Sequence, residues 1–310
     1  MSRVMVLTVR HVTHSTGEGT ARRRRLRSTR MYRRVAVVTD STACLPSQLA
    51  DQLDIEVVPI QVQIGRRRDD EVGIPAPEVA SAMRDRQDVS TAPPDPGTFH
   101  RRYAELEKQG VQAVVSLHLS ARQSATFEFA CRAAGRVNVP VHVIDTRTTG
   151  MSLGYAVVEA ARTAQAGGDV SRVLAAAQHR LHRSTELIYV DTLEFLRRGG
   201  RIGTAAALIG SALSLKPLLT MTDGQIAPLD RVIGADRAMR KMTELAVGRA
   251  GAEQVDVAVE HFGAPEEANK LMRLLRNTIP GMRQFVVTEV SSAIGAHVGP
   301  GAVGITVSPL

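Results

Sequence analysis

The chain has 310 residues, of which 44% are apolar and only 3% aromatic. That is enough for two domains of ordinary size, with cores built from Ala, Val, Leu and Ile. No run of about 20 apolar residues is present, which argues against a transmembrane helix.

The net charge of +8 is unevenly placed. Residues 1–34 carry ten Arg and one acid, a net of +9, while the other 276 carry 29 basic and 30 acidic side chains, a net of −1. A nucleic-acid-binding domain carries a basic face of its own, so no specific nucleic-acid partner is expected of this near-neutral body. The Arg-rich stretch 1–32 reads as a basic, disordered leader, or as a start placed too early with Met31 as the true one. A tether to nucleic acid or anionic membrane, and a targeting peptide, are the alternatives. Cys44 and Cys131 have no motif spacing and are expected to be buried thiols in a reducing cytosol, which places the protein in the cytoplasm.

Regular alternation begins near Arg34. Val35–Thr39 is a continuous β-branched run that ends in Asp40-Ser41-Thr42, as a buried parallel strand followed by a polar turn would. Helix 46–53 and a strand or strand pair over 55–64 follow. The charged segment 65–73 reads as a turn and 75–86 as a helix. Residues 90–97, STAPPDPG, hold three Pro and read as irregular. Helices at 98–109, 124–135, 153–166 and 171–183 alternate with strands at 113–117 and 139–145. This alternation predicts a three-layer α/β/α domain with a mainly parallel sheet over 33–185. Its hydroxyl-rich turns should gather at the carboxyl edge of the strands, where such sheets bind ligands.

From about Leu187 the pattern changes to a two-layer α+β domain with a mixed sheet, over 186–310. A strand at 187–190 leads into DTLEFLRRGGRIG (191–203) and an apolar run. Asp191 and Glu194 have capping-box spacing, and Gly199-Gly200 suits a left-handed helix stop. A hairpin around Asp223-Gly224, helices at 235–248 and 265–279, and strands at 255–261, 284–290 and 302–307 complete the domain.

No motif supplies an evident acid–base or nucleophilic set. Gly299–Gly304 spells G-x-G-x-x-G, but the chain ends six residues later without a helix, so a tight turn that places His297 is the better reading. His179 and His182, with Glu186 after them, sit in a basic stretch that reads as a solvated helix face and not as a metal site. Asp40 reads as a turn cap. The hydroxyls Ser90, Thr91, Ser116 and Ser120 either bond local backbone or together bind a carboxylate or phosphate. A phosphotransferase acting on a small hydroxylated substrate is the alternative at the level of fold analogy.

Seven segments in order resemble the DegV family of fatty-acid-binding proteins: TDSTACLP (39–46), STAPPDPGTF (90–99), SLHLSARQSA (116–125), VIDTRTTGMSLG (143–154), DTLEFLRRGGRIG, LSLKPLL (213–219) and HVGPGAVG (297–304). The resemblance implies a non-catalytic protein that encloses one long-chain fatty acid, needs no cofactor or metal, and presents the carboxylate to a separate fatty acid kinase subunit for phospholipid synthesis. It implies carboxylate contacts from Ser90, Thr91, Ser120 and His297, with Ser41 and Arg122 as head-group neighbours. Ile202, Leu208, Ile209 and Leu213 are then expected to line the acyl tunnel. Where the family has Ser-Gly-Thr this chain has Ser120-Ala121-Arg122, and its Thr-Ser-Gln-Pro-Ser is Ser90-Thr91-Ala92-Pro93-Pro94 here.

Overall fold

The computed structural model describes residues 5–7, 34–209 and 215–310. Strand β1 (Met5–Leu7) lies at the edge of the second sheet, described below. The first domain opens with β2 (Val35–Asp40), α1 (Ser47–Gln52), β3 (Glu56–Val58), β4 (Gln61–Ile64), β5 (Arg67–Asp70) and α2 (Ala76–Arg84). It continues with β6 (Val89–Ala92), α3 (Pro96–Lys108), β7 (Ala113–His118), α4 (Thr126–Ala134), β8 (Val141–Asp145), α5 (Gly150–Gln165) and α6 (Val170–Arg183). Four strands form a parallel sheet in the order β3-β2-β7-β8. Strands β2 and β7 are buried at every position, because helices cover both faces. The two-residue period splits them cleanly: Val35 and Val37 pack towards α5 and α6, Ala36 and Val38 towards α3 and α4.

A small antiparallel sheet, β5-β4-β6, departs from the sequence reading of 65–73 and 90–97 as turn and loop. The prolines exclude strand only from Pro93 onward, and Val89–Ala92 pairs before them. The charged β5 is an edge strand whose exposed side chains carry no apolar alternation to read. Cys44 is buried, but Cys131 is exposed, contrary to expectation.

The second domain comprises β9 (Thr185–Tyr189), α7 (Glu194–Arg198), β10 (Leu215–Thr222), β11 (Gln225–Ile233), α8 (Ala235–Ala250), β12 (Val255–His261), α9 (Pro265–Thr278), β13 (Met282–Glu289), α10 (Ser292–Val298) and β14 (Val303–Pro309). Its mixed sheet runs β1-β13-β12-β14-β9-β10-β11, and α8 and α9 cover one face. Asp223 and Gly224 both take positive φ, 50° and 76°, as a two-residue type I′ hairpin requires. The expected capping box does not form. Helix α7 starts after Leu193, and Asp191 instead accepts bonds from the Tyr189 hydroxyl and Lys216. Glu194 pairs with Arg197 and Arg198, which hold its carboxyl down at about 2. Gly200, not Gly199, takes the left-handed conformation.

The layer α5–α6 serves both domains. Helix α5 has 12 of its 16 residues buried and packs on β2 and β7 on one side and on β12 and β14 on the other. A helix apolar nearly all round belongs in such a position. Its polar ties to the second sheet are few and buried. Arg180 of α6 donates to Asp256 of β12 at 2.5 Å, and Asp256 also receives Arg283 at 2.8 and 3.0 Å. Glu260 of β12 accepts the Met151 N–H in the first turn of α5 at 2.9 Å, a favourable place for a carboxylate.

These ties are testable by unfolding. Asp256→Ala strands the buried Arg180 guanidinium and is expected to cost about 3–5 kcal/mol in denaturant titration; a loss within experimental error would show the pair to be dispensable. Burial pushes the Glu260 carboxyl up to about 7 from an ordinary 4.5. The stabilisation it gives is full below the unfolded value and is lost as pH rises through the folded one. Glu260→Gln should therefore lose less Tm than wild type between about pH 5 and 8, and an equal loss would contradict this.

Candidate functional site

Two glycine-bearing segments meet face to face at the centre of the molecule. The first is Asp191–Arg201 and the second is the end of α10 with the turn Gly299-Pro300-Gly301. A Cβ on Gly199 would lie 2.1 Å from His297 Nδ1, one on Gly299 2.1 Å from the Phe195 ring, and one on Gly301 2.3 Å from the Asp191 carboxylate. Any side chain at these points would push the segments apart. Gly299 and Gly301 also take φ of 82° and 91°, which favours glycine on conformational grounds. Ser291 caps α10 by accepting the Ile294 N–H, so the helix and its His297 are fixed at both ends.

Strand β6 brings the opposing group. Thr91 pairs with the buried Val62, and its Oγ1 lies 2.8 Å from His297 Nε2. Burial, with a contribution from Arg201, lowers the His297 pKa to about 4, so the ring is neutral at neutral pH. Its Nδ1 is buried without a hydrogen-bond partner among the described residues. Arg201 reaches the same place from below the Gly-Gly stop. Its Nε donates to the Gln123 carbonyl at 2.9 Å and Nη1 to the Gly199 carbonyl at 2.6 Å. Among the described residues those bonds use two of its five N–H donors.

These groups open on a cavity. Thr91, His297, Arg201, Gln123 and Ser124, with Thr42 and Thr149, supply its polar lining, and Leu119, Leu196, Ile226 and Ile294 much of its apolar lining. A second, almost wholly apolar cavity shares Thr149, Ile226, Ile294 and Val298 with the first, so the two adjoin. The inner one runs between α10 and the inner face of the large sheet, along β9, β12 and β14. The buried Thr149 Oγ1, at the junction, has no hydrogen-bond partner among the described residues.

The sequence-predicted residues divide. Thr91 and His297 come together on the cavity wall. Ser90, one residue away on β6, is exposed and does not join them. Ser120 is buried, but its Oγ donates to the Gly224 carbonyl at 2.8 Å and accepts the Arg122 N–H at 3.2 Å. Arg122 is exposed and donates to the Asp223 carbonyl. Both residues thus clasp the tip of the β10–β11 hairpin. Ser41 accepts the Ile60 N–H at 2.9 Å. Ile202, Leu208 and Ile209 line neither cavity, and Ile209 is 52% exposed; residues 203–208 form a 3-10 helix against β11. Leu213 lies outside the described residues. Arg201 was absent from the sequence-predicted site, whose expected cation was Arg122. Its signal was the RRGGR run, where the capping pattern drew attention to the glycines.

A second polar chain runs through the core. Asp40 Oδ2 lies 3.0 Å from His118 Nδ1, His118 Nε2 lies 2.7 Å from Ser116 Oγ, and Ser116 Oγ lies 2.7 Å from the Tyr103 hydroxyl. The spacing is that of a nucleophile–base–acid set, yet Asp40, Ser116, His118 and Tyr103 are wholly enclosed and line neither cavity. Asp40 also accepts the Thr42 and Leu119 N–H groups, which fits the turn-capping role read from sequence. His179 and His182 are exposed on α6, and no group of metal-ligating side chains occurs among the described residues.

Comparison with known proteins agrees with this architecture. A family model described as an uncharacterised protein of the DegV family matches residues 34–310. A DegV domain-containing protein of Streptomyces coelicolor is 44% identical over 279 residues, covering 90% of this chain and 99% of its own. One from Mycobacterium bovis is 34% identical over 275 residues, covering 88% and 96%. Among solved structures, a DegV family protein from Thermus thermophilus described by its fatty acid binding superposes with a TM-score of 0.84 at 30% identity, covering 89% of this chain and all of that one. DegV of Bacillus subtilis, described as a fatty acid binding protein, gives 0.83 at 29% identity, with 89% and 99% covered. With a match along the whole body of the chain and relatives this similar, the protein belongs to the DegV family.

Proposed function

We infer that this protein binds one long-chain fatty acid, with its carboxylate at Thr91, His297 and Arg201 and its acyl chain in the two adjoining cavities. The observation that carries the reading is the neutral His297–Thr91 pair beside the Arg201 guanidinium, at the polar end of two adjoining cavities. With its proton on Nε2, His297 donates to Thr91 Oγ1. The Thr91 hydroxyl is then free to donate to a carboxylate oxygen, and Arg201 supplies the charge-assisted bond. The acyl chain contributes most of the affinity, up to about 0.8 kcal/mol per buried methylene before ordering costs.

The binding role needs no bond-making group, and we read the protein as a carrier. Presentation of the carboxylate to a separate kinase subunit is the role that the family resemblance implies, and it is adopted here as part of the proposal.

Mass spectrometry of the organic extract of the purified protein tests the reading. A fatty acid recovered in near-stoichiometric amount is expected; an empty extract together with no uptake of added palmitate or oleate would overturn it. Thr91→Val and Arg201→Met each remove a hydrogen bond to a charged group. Each should weaken acyl binding about tenfold or more, while Ser90→Ala, on the exposed side of the same strand, should leave it unchanged. Equal behaviour of all three variants would remove Thr91 and Arg201 from the site.

A further inference from the structure

The inner face of the large sheet changes character abruptly along the cavity. Paired residues form rows across β12, β14 and β9: Glu260–Gly304–Ile188, then Ala258–Thr306–Glu186. Gly304 leaves the middle of the first row open. A Cβ there would come no nearer than 3.6 Å to any neighbour, so crowding within the protein does not demand glycine. A strand-centre glycine of that kind marks the close approach of something else.

Immediately beside that gap the apolar lining stops. Glu260 Oε1 accepts the Met151 N–H and Oε2 the Thr306 hydroxyl, both at 2.9 Å. Glu186 accepts the Thr148 hydroxyl. The first turn of α5 lies across these groups, and one row further the Arg180–Asp256–Arg283 cluster fills the layer. Burial raises both carboxyls, Glu260 to about 7, which reduces their charge beside an apolar ligand.

We propose that Glu260, Thr306 and Glu186 are the closed end of the acyl channel and set the longest chain it accepts. The inference rests on the acyl-binding reading above. Each methylene that reaches apolar lining raises affinity by up to about fourfold. A methylene pressed against Glu260 must displace a carboxyl from both of its partners and leave buried donors unpaired, which cancels that gain. Affinity therefore climbs with chain length and breaks at a defined carbon number. Chains that pass Gly304 depend on its missing side chain.

The test is the affinity of the full-length protein for saturated fatty acids of about 10 to 20 carbons, where each step probes the per-methylene gain. Glu260→Ala is expected to move the break to longer chains by two carbons or more, and the isosteric Glu260→Gln to leave it in place. Gly304→Ala is expected to move it to shorter chains, with the affinity of the longest acids falling about 15- to 60-fold and that of the shortest unchanged; two to three methylenes at about fourfold each give that range. If Glu260→Ala does not fold, Gly304→Ala alone decides. A break that stays at the wild-type length in the folded variants overturns the inference and leaves the acyl reading standing. No binding of any acid by the wild type overturns both.

Discussion

The contact of Asp191–Arg201 with the α10 turn is the constraint on which the site depends. Gly199 against His297, Gly299 against Phe195 and Gly301 against Asp191 leave no room for a methyl group at any of the three positions. The close approach holds the imidazole within reach of Thr91, sets Leu196 in the cavity wall and brings Arg201 to the polar end. Backbone rigidity thus replaces what a dedicated polar scaffold would otherwise supply. It also explains why His297 is dry enough to stay neutral, since the segments that grip it exclude water from most of the ring.

Much of this architecture was legible in the sequence, because long apolar periods survive any packing detail. The buried strands Val35–Asp40 and Ala113–His118, the hairpin at Asp223-Gly224 and the long helices follow from period and turn chemistry alone. Short elements did not. Strand β5 is charged and half-solvated, β6 runs into a proline cluster, and α10 spans only seven residues. Each owes its form to a neighbour and carries little signal of its own.

The site shows the same division. Ser90 and Thr91 are chemically alike, and only strand phase decides which faces the cavity, so a shift of one residue separates an exposed side chain from a site residue. Ser120 looked like a ligand hydroxyl but is spent on the Gly224 carbonyl. The family resemblance implied that the Ala/Leu run after Gly203 lines the tunnel. Among the described residues the cavity wall is assembled from positions far apart in sequence, such as Leu119, Ile226 and Ile294, each an ordinary core residue in its own segment. Composition reports burial and does not report against what.

Thr91 and His297 are separated by 206 positions, and that distance has a consequence for how the protein is made. The histidine comes from α10, and the turn and β14, the strand that joins β12 to β9, come after it. A contact of such long range forms late, after the intervening loops have been closed. On the acyl-binding reading, capture of a carboxylate at this pair reports that α10 has docked against β6, whereas without α10 the apolar space would stand open beside Thr91 and Arg201.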